Sequence, residues 1–217
     1  MARVDFFYDF VCPYAYLAHE RIVALCAEEG ATLVHRPILL GGVFRAIGVP
    51  DQPTANDPPA KKAHGARDLE RWSARLGMPL QKPVNHPRRT VLALRAALAS
   101  GEAGLPRATS ALYRAYWQDG RDLEDEAVVR SALDAAGLDG AALVAAAGGD
   151  DAKAELRAST DAAVEAGVFG VPTFVVTNDR GKQLFWGQDR LHFVEKAIRG
   201  WWVELPAIGA APAGAIA

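Results

Sequence analysis

The stretch RVDFFYDFVCPYAYLA, residues 3–18, constrains the fold more than any other. RVDFFY (3–8) has the aromatic and β-branched bias of a strand. Residues 13–29 read as a helix, opened by Pro13 at a first-turn position where its missing N–H costs nothing, and ended by Gly30. TLVHRP (32–37) reads as a second strand. A β-α-β unit of this kind makes a parallel pair with a right-handed crossover. Strand signals return only at 172–178 (PTFVVTN) and 182–186 (KQLFW), joined by the turn NDRG and followed by a helix predicted over 189–203. A two-stranded half cannot bury its face alone, so both ends of the chain must share one sheet.

Between them, residues 40–60 read as a loop rich in Gly, Pro and Asp. Helical patterns then predict segments near 60–77, 88–100, 105–118, 124–136, 139–147 and 151–166, each with a glycine at or near its end. The expected fold is α/β, a thioredoxin-like arrangement with a large all-helical insertion. Residues 1–40 and 167–205 form its discontinuous thioredoxin-like domain, 58–166 the insertion and 206–217 a flexible tail.

The 217 residues are 50% apolar and 23% charged, with a net charge of −2, an ordinary globular profile without a nucleic-acid or anionic-membrane signature. No apolar run of membrane-spanning length and no secretory leader is read, so a cytoplasmic location is expected. The histidines at 19, 35, 64, 86 and 192 show no metal-ligand spacing, and no metal is expected. Cys12 and Cys26 are the two cysteines. On one helix they stand about 21 Å apart at ~1.5 Å per residue, which excludes a disulfide.

Cys12 sits where the first strand gives way to the first helix. A helix N-terminus carries partial positive charge and unpaired N–H groups, and thiols there are expected to ionise readily, with pKa values of about 3.5–7.5. The competing reading is a small buried apolar residue. Cys26, in IVALCAEEG, reads as core. In FGVPTF (169–174), Pro172 either starts a strand in the trans form or follows Val171 through a cis bond that frees the Val171 backbone for an outside partner. In FWGQDRL (185–191), Asp189 is either the N-cap of the last helix or a carboxylate that holds an amino group. Lys61 and Lys62, at the start of the insertion, are either solvated or turned to a ligand carboxylate.

FYDFVCPYAYLA, LLGGVFRAIG, PPAKKAHGARDLERWSARLGMPL, FGVPTF and FWGQDRL, in that order, resemble the 2-hydroxychromene-2-carboxylate isomerases and their relatives, the kappa-class glutathione transferases. The resemblance spans about residues 3–200. It implies a thioredoxin domain interrupted by helices, a homodimer, glutathione as cofactor and a small aromatic substrate. It places residue 12 against the glutathione sulfur and Val171, before a cis Pro172, against the glutathione cysteine backbone. Gln188 and Asp189 match the pair that holds the γ-glutamyl end. Lys61 matches the lysine that meets the glycine carboxylate, and Asn56 is the nearest asparagine in the preceding loop. Candidates around the substrate are Tyr14, His86, Arg88 and Arg89, with Lys62 a further basic group; the sequence does not choose among them.

Three departures stand out: cysteine at position 12 where the family usually has serine, Arg89 where relatives often have asparagine, and His64 near an expected tyrosine. A thiol is a weaker hydrogen-bond donor than a hydroxyl. Cys12 therefore either stands in for serine as a neutral donor or forms a mixed disulfide with glutathione. Cys12-Pro13-Tyr14-Ala15 lacks the resolving thiol of a C-P-x-C oxidase. The expected activity is glutathione-dependent cis-trans isomerisation, in which a thiolate adds to a conjugated carbon, the former double bond rotates and the thiolate leaves. The alternatives are a kappa-like transferase or monothiol oxidoreductase using Cys12, and a non-catalytic thioredoxin-like binding module.

Overall fold

The computed structural model describes residues 1–50 and 56–204. Strands β1 (Arg3–Tyr8), β2 (Thr32–Pro37), β3 (Thr173–Asn178) and β4 (Gly181–Trp186) form one sheet in the order β2-β1-β3-β4. β1 runs parallel to β2 and antiparallel to β3, so the N-terminal strand lies at the centre, flanked by strands from opposite ends of the chain. Phe6 stands opposite His35 on one side and Phe174 on the other.

Alternation along the strands sends side chains to two faces. Val4, Phe6, Tyr8, Phe174 and Val176 join the larger core with helix α1 (Pro13–Glu28). Phe7 and Val175 face a smaller core built with Ile38, Val43, Ala163 and Val168. Burying such aromatic and branched residues is worth roughly 1.5–3 kcal/mol each. Cys12, just past the end of β1, packs against both clusters.

Helix α2 (Leu40–Ala46) lies inside the segment expected to be loop; α3 (Pro59–Leu76) follows. α2 places its buried Val43 in the smaller core. α3 buries no residue fully and lies along α1, with Leu69, Trp72 and Leu76 partly covered; Gly77, at φ 63, takes the left-handed conformation that ends it. Next come α4 (Val91–Ala99) and α5 (Gly101–Tyr113), continued by a π-helical turn at Arg114–Gln118. α4 starts later than the expected 88, beyond the cis His86–Pro87 bond, and α5 starts earlier than the expected 105, directly after the α4 cap. α6 (Glu126–Ala135) and α7 (Gly140–Ala147) are capped by Asp125 and Asp139, which accept from the N–H groups of Ala127 and Ala142. α8 (Asp150–Glu165) returns the chain to the sheet.

The last helix, α9, covers only Leu191–Ile198 rather than 189–203. A 3₁₀ turn at Gln188–Arg190 precedes it, and Gly200, at φ 91, follows it. The expected tail at 206–217 lies outside the described residues.

Candidate functional site

The site begins at the end of β1. The chain turns at Asp9, whose carbonyl accepts from Cys12 N–H at 3.1 Å, and Cys12 becomes the N-cap of α1 with an extended backbone. Pro13 follows in the first turn, as its fixed φ favours. Cys12 remains partly exposed. Its Sγ donates to the carbonyl of Val171 at 3.2 Å, across 159 residues of sequence. The Val171–Pro172 bond is cis. No described residue accepts from the Val171 N–H, while Gly187 N–H donates to Pro172 O at 2.9 Å and ties the end of β4 to this loop.

The thiol does not ionise as its position suggests. The N–H groups of Tyr14 and Ala15 face the sulfur and favour a thiolate. Burial opposes them more strongly, the Asp9 charge adds to it, and the Cys12 pKa is pushed up to about 12. Cys12 is therefore a neutral S–H donor at physiological pH. Cys26 lies 2% exposed in the body of α1, its thiol raised to about 11 by burial, and takes no part.

Asp9 was not among the candidates read from the sequence. Its carboxylate is 1% exposed and accepts from Thr90 Oγ1 (2.5 Å), Leu40 N–H (3.0 Å) and Val11 N–H (3.3 Å). Burial raises its pKa against those three bonds. It thus pins the end of β1 to the starts of α2 and α4, directly below the thiol loop. The available signal was an acid three residues ahead of Cys-Pro, just past the end of the first strand.

The 3₁₀ turn after β4 holds the next pair. Gly187 has φ 109, and a Cβ there would meet Asp189 Oδ1 at 2.6 Å. Gln188 is buried, its Oε1 accepting from Arg21 Nη1 at 2.6 Å while Arg21 lies over the Trp72 ring. Its amide NH₂ has no partner among the described residues. Asp189 does not cap α9; it is half-exposed and pairs with Arg190 at 2.6 Å. Tyr14 connects this pair to the thiol: burial first, then the charges of Asp68, Cys12 and Asp189, hold its hydroxyl above the ordinary value.

The remaining candidates divide. Lys61 is exposed and bound to Asp57 at 2.8 Å, an i,i+4 surface pair. Asn56 is an exposed turn residue, and His64 is exposed on α3. His86 Nδ1 lies 2.9 Å from Tyr116 Oη, its ring set edge-on to Trp117, and burial lowers its pKa. Trp117 Nε1 in turn donates to Phe10 O at 2.8 Å, two residues before Cys12. Arg88 is spent on Asp122 (2.6 Å) and Glu124 (3.5 Å), which argues against it as the substrate's anchor. Arg89 is exposed, and its guanidinium has no carboxylate partner among the described residues. Beside the cis Pro172 loop stand two exposed aromatics the sequence reading passed over, Phe169 and Trp186, with ring centroids 5.0 Å apart. No group of described residues could hold a metal ion.

The chain matches the DSBA-like thioredoxin domain over residues 3–199. The 2-hydroxychromene-2-carboxylate isomerase of Pseudomonas putida is 31% identical over 195 residues, 90% of this chain and 93% of that protein. The chain belongs to the 2-hydroxychromene-2-carboxylate isomerase family. A solved 2-hydroxychromene-2-carboxylate isomerase superposes with a TM-score of 0.77 at 30% identity, covering 91% of this chain and 94% of that one. Rat glutathione S-transferase kappa 1 is more distant, 26% identical over 215 residues and 92% of each chain. The resemblance read from the motifs is thus borne out over nearly the whole chain, as is the DsbA-like fold with inserted helices. No described helix is long and apolar enough to cross a membrane.

Proposed function

We propose that the protein is a glutathione-dependent isomerase of the 2-hydroxychromene-2-carboxylate type. The observation that carries this reading is the lone, neutral Cys12 thiol set between the first N–H groups of α1 and the backbone of Val171. The residues around it suit glutathione. The free Val171 N–H offers its cysteine a backbone donor, the Gln188 amide and Asp189 carboxylate suit the carboxylate and amine of a γ-glutamyl end, and Arg190 is the cation Asp189 would exchange for that amine. Bound there, glutathione supplies a thiol that adds to a conjugated carbon and leaves again once the bond has turned.

The chain's own part is electrostatic. The N–H groups of Tyr14 and Ala15 and the α1 dipole favour negative charge on a neighbouring sulfur. Cys12, kept protonated, can turn its S–H from Val171 O toward that sulfur without adding a second charge. Asp9 and its three donors fix the loop that holds Cys12. Phe169 and Trp186 offer a ring face for an aromatic substrate, and Arg89 a free cation for its carboxylate.

A monothiol oxidoreductase requires a reactive thiolate at Cys12, which a pKa near 12 disfavours. A dithiol route lacks its second thiol, since Cys26 lies far along α1. The test is turnover of 2-hydroxychromene-2-carboxylate with and without glutathione, in wild type and Cys12→Ser. The expected result is glutathione-dependent turnover in both, with the serine variant at least as fast because O–H is the better donor. A folded Cys12→Ser protein without glutathione-dependent turnover would defeat the proposal.

A further inference from the structure

A cavity of about 410 Å³ lies apart from the Cys12 loop, bounded by α1, α5, the π-helical turn and α6. That volume lies within the ~300–1,000 Å³ of small-molecule sites. Its walls are methyl groups: Val23 from α1, Ala111 and Ala115 along α5 and its continuation, Ala132 and Ala135 from α6. Three arginines, Arg107, Arg114 and Arg121, border it against a single acid, Asp119.

None of the three forms an ion pair among the described residues. Arg107 reaches only the carbonyls of Ala136 and Gly137, at 3.3 and 3.4 Å. Arg121 donates to Ser131 Oγ at 2.8 Å. Some other exposed arginines in this chain are paired, Arg199 with Glu29 and Glu195 and Arg190 with Asp189. The cavity therefore carries an excess of cationic charge in a protein whose net charge is −2.

His19 lines the same cavity. It is 2% exposed, its Nε2 lies 2.9 Å from Ser110 Oγ, and its Nδ1 has no partner. Burial, with His35 beside it, lowers its pKa to about 3, so it adds a neutral polar atom and no charge. A buried polar nitrogen without a partner is uncommon and calls for an explanation.

We propose that this cavity is a second binding site, separate from the thiol site, for a small aromatic monocarboxylate. The alanine and valine walls accept a flat ring, and planar guanidinium groups match a carboxylate in a two-pronged geometry that a lone ammonium does not. An acidic protein segment would need more than three cations along an extended path. A second copy of the chain would need an acidic, apolar patch complementary to this one.

The probe is 1-naphthoate, with naphthalene-1-methanol as its uncharged counterpart, titrated calorimetrically into the full chain. The titration is repeated in the presence of saturating S-methylglutathione. It requires no turnover, so it stands whether or not the isomerase reading survives. The expected result is one naphthoate per chain, unaffected by S-methylglutathione and by Cys12→Ser, and at least tenfold tighter than the alcohol. Arg114→Glu and Arg121→Glu each weaken it about tenfold or more, and Ala135→Trp abolishes it by filling the cavity. Arg114 and Ala135 are exposed, so these variants are expected to fold, with circular dichroism as the check. Undiminished binding in folded Arg114→Glu overturns the proposal. So does displacement by S-methylglutathione, which would put the probe at the thiol site. No naphthoate binding, together with an Ala135→Trp substitution that dissociates a dimer, would assign the face to a second copy instead.

Discussion

Replacing Cys26 with alanine leaves Cys12 as the only thiol, and its reactivity then measures the balance between burial and the α1 N-terminus. An ordinary thiol titrates near 9 and Cys12 near 12, so at pH 7.5 its thiolate fraction is lower by roughly a thousandfold. The more basic thiolate is also the better nucleophile, and a Brønsted slope of about 0.4–0.5 returns roughly 15- to 30-fold of that loss. The net expectation is a rate with a small neutral disulfide, such as 2-hydroxyethyl disulfide, about 30- to 60-fold below that of the same chain unfolded in urea. Mixed-disulfide formation is followed by intact mass. In the folded protein the rate should still rise about tenfold per pH unit at pH 9.5, while the unfolded chain levels off. A folded-state rate equal to or above the unfolded one, or a plateau below pH 9, would show that the helix terminus outweighs burial. The neutral-donor role would then be wrong, and the mixed-disulfide alternative would regain its footing.

Further outcomes test the surroundings. His19 and His35 are buried and neutral, with pKa values lowered to about 3 and about 4 from the ordinary 6.5. Groups depressed in this way bind fewer protons folded than unfolded, so stability is lost as pH falls below 6.5. Each costs about 1.4 kcal/mol by pH 5.5, roughly 3 kcal/mol together, visible as a fall in the urea midpoint between pH 7.5 and 5.5; an unchanged midpoint would show they are not kept neutral. Asp9→Ala strands the N–H groups of Leu40 and Val11 and the Thr90 hydroxyl, and should cost on the order of 3 kcal/mol in urea unfolding. Trp186→Ala removes one ring of the exposed pair. It should raise KM for the aromatic substrate by up to about tenfold while leaving the glutathione KM unchanged in steady-state assays, as stacking worth ~0.5–1.5 kcal/mol implies.

The strands and the thiol's position were legible because each rests on local chemistry. RVDFFY, TLVHRP, PTFVVTN and KQLFW carry strand composition, and the observed strands fall on these four segments, within a residue at each end. Cys12 and Pro13 mark a strand-to-helix junction by themselves. What failed depended on contacts distant in sequence. Helix α2 was hidden because LGGVFRA carries two glycines; its helical turn is anchored by Asp9 accepting from Leu40 N–H, a contact no local pattern displays. The choice between an ionised and a neutral thiol was not legible, because the dipole is a property of one helix, whereas burial comes from residues distant in sequence. Asp189 was placed in the right turn, but the N-cap reading failed because Arg190 caps the last helix and pairs with the Asp189 carboxylate. Arg88 looked as free as Arg89 until Asp122 and Glu124 arrived beside it.

The hydrogen bond between Cys12 and Val171 joins a residue made early to one made late. During synthesis, the sulfur waits through the whole helical excursion before the carbonyl that will hold its proton exists. Until then it is an ordinary thiol on a growing chain, open to passing oxidants. Completion of the sheet is thus also the moment at which the protein silences that thiol.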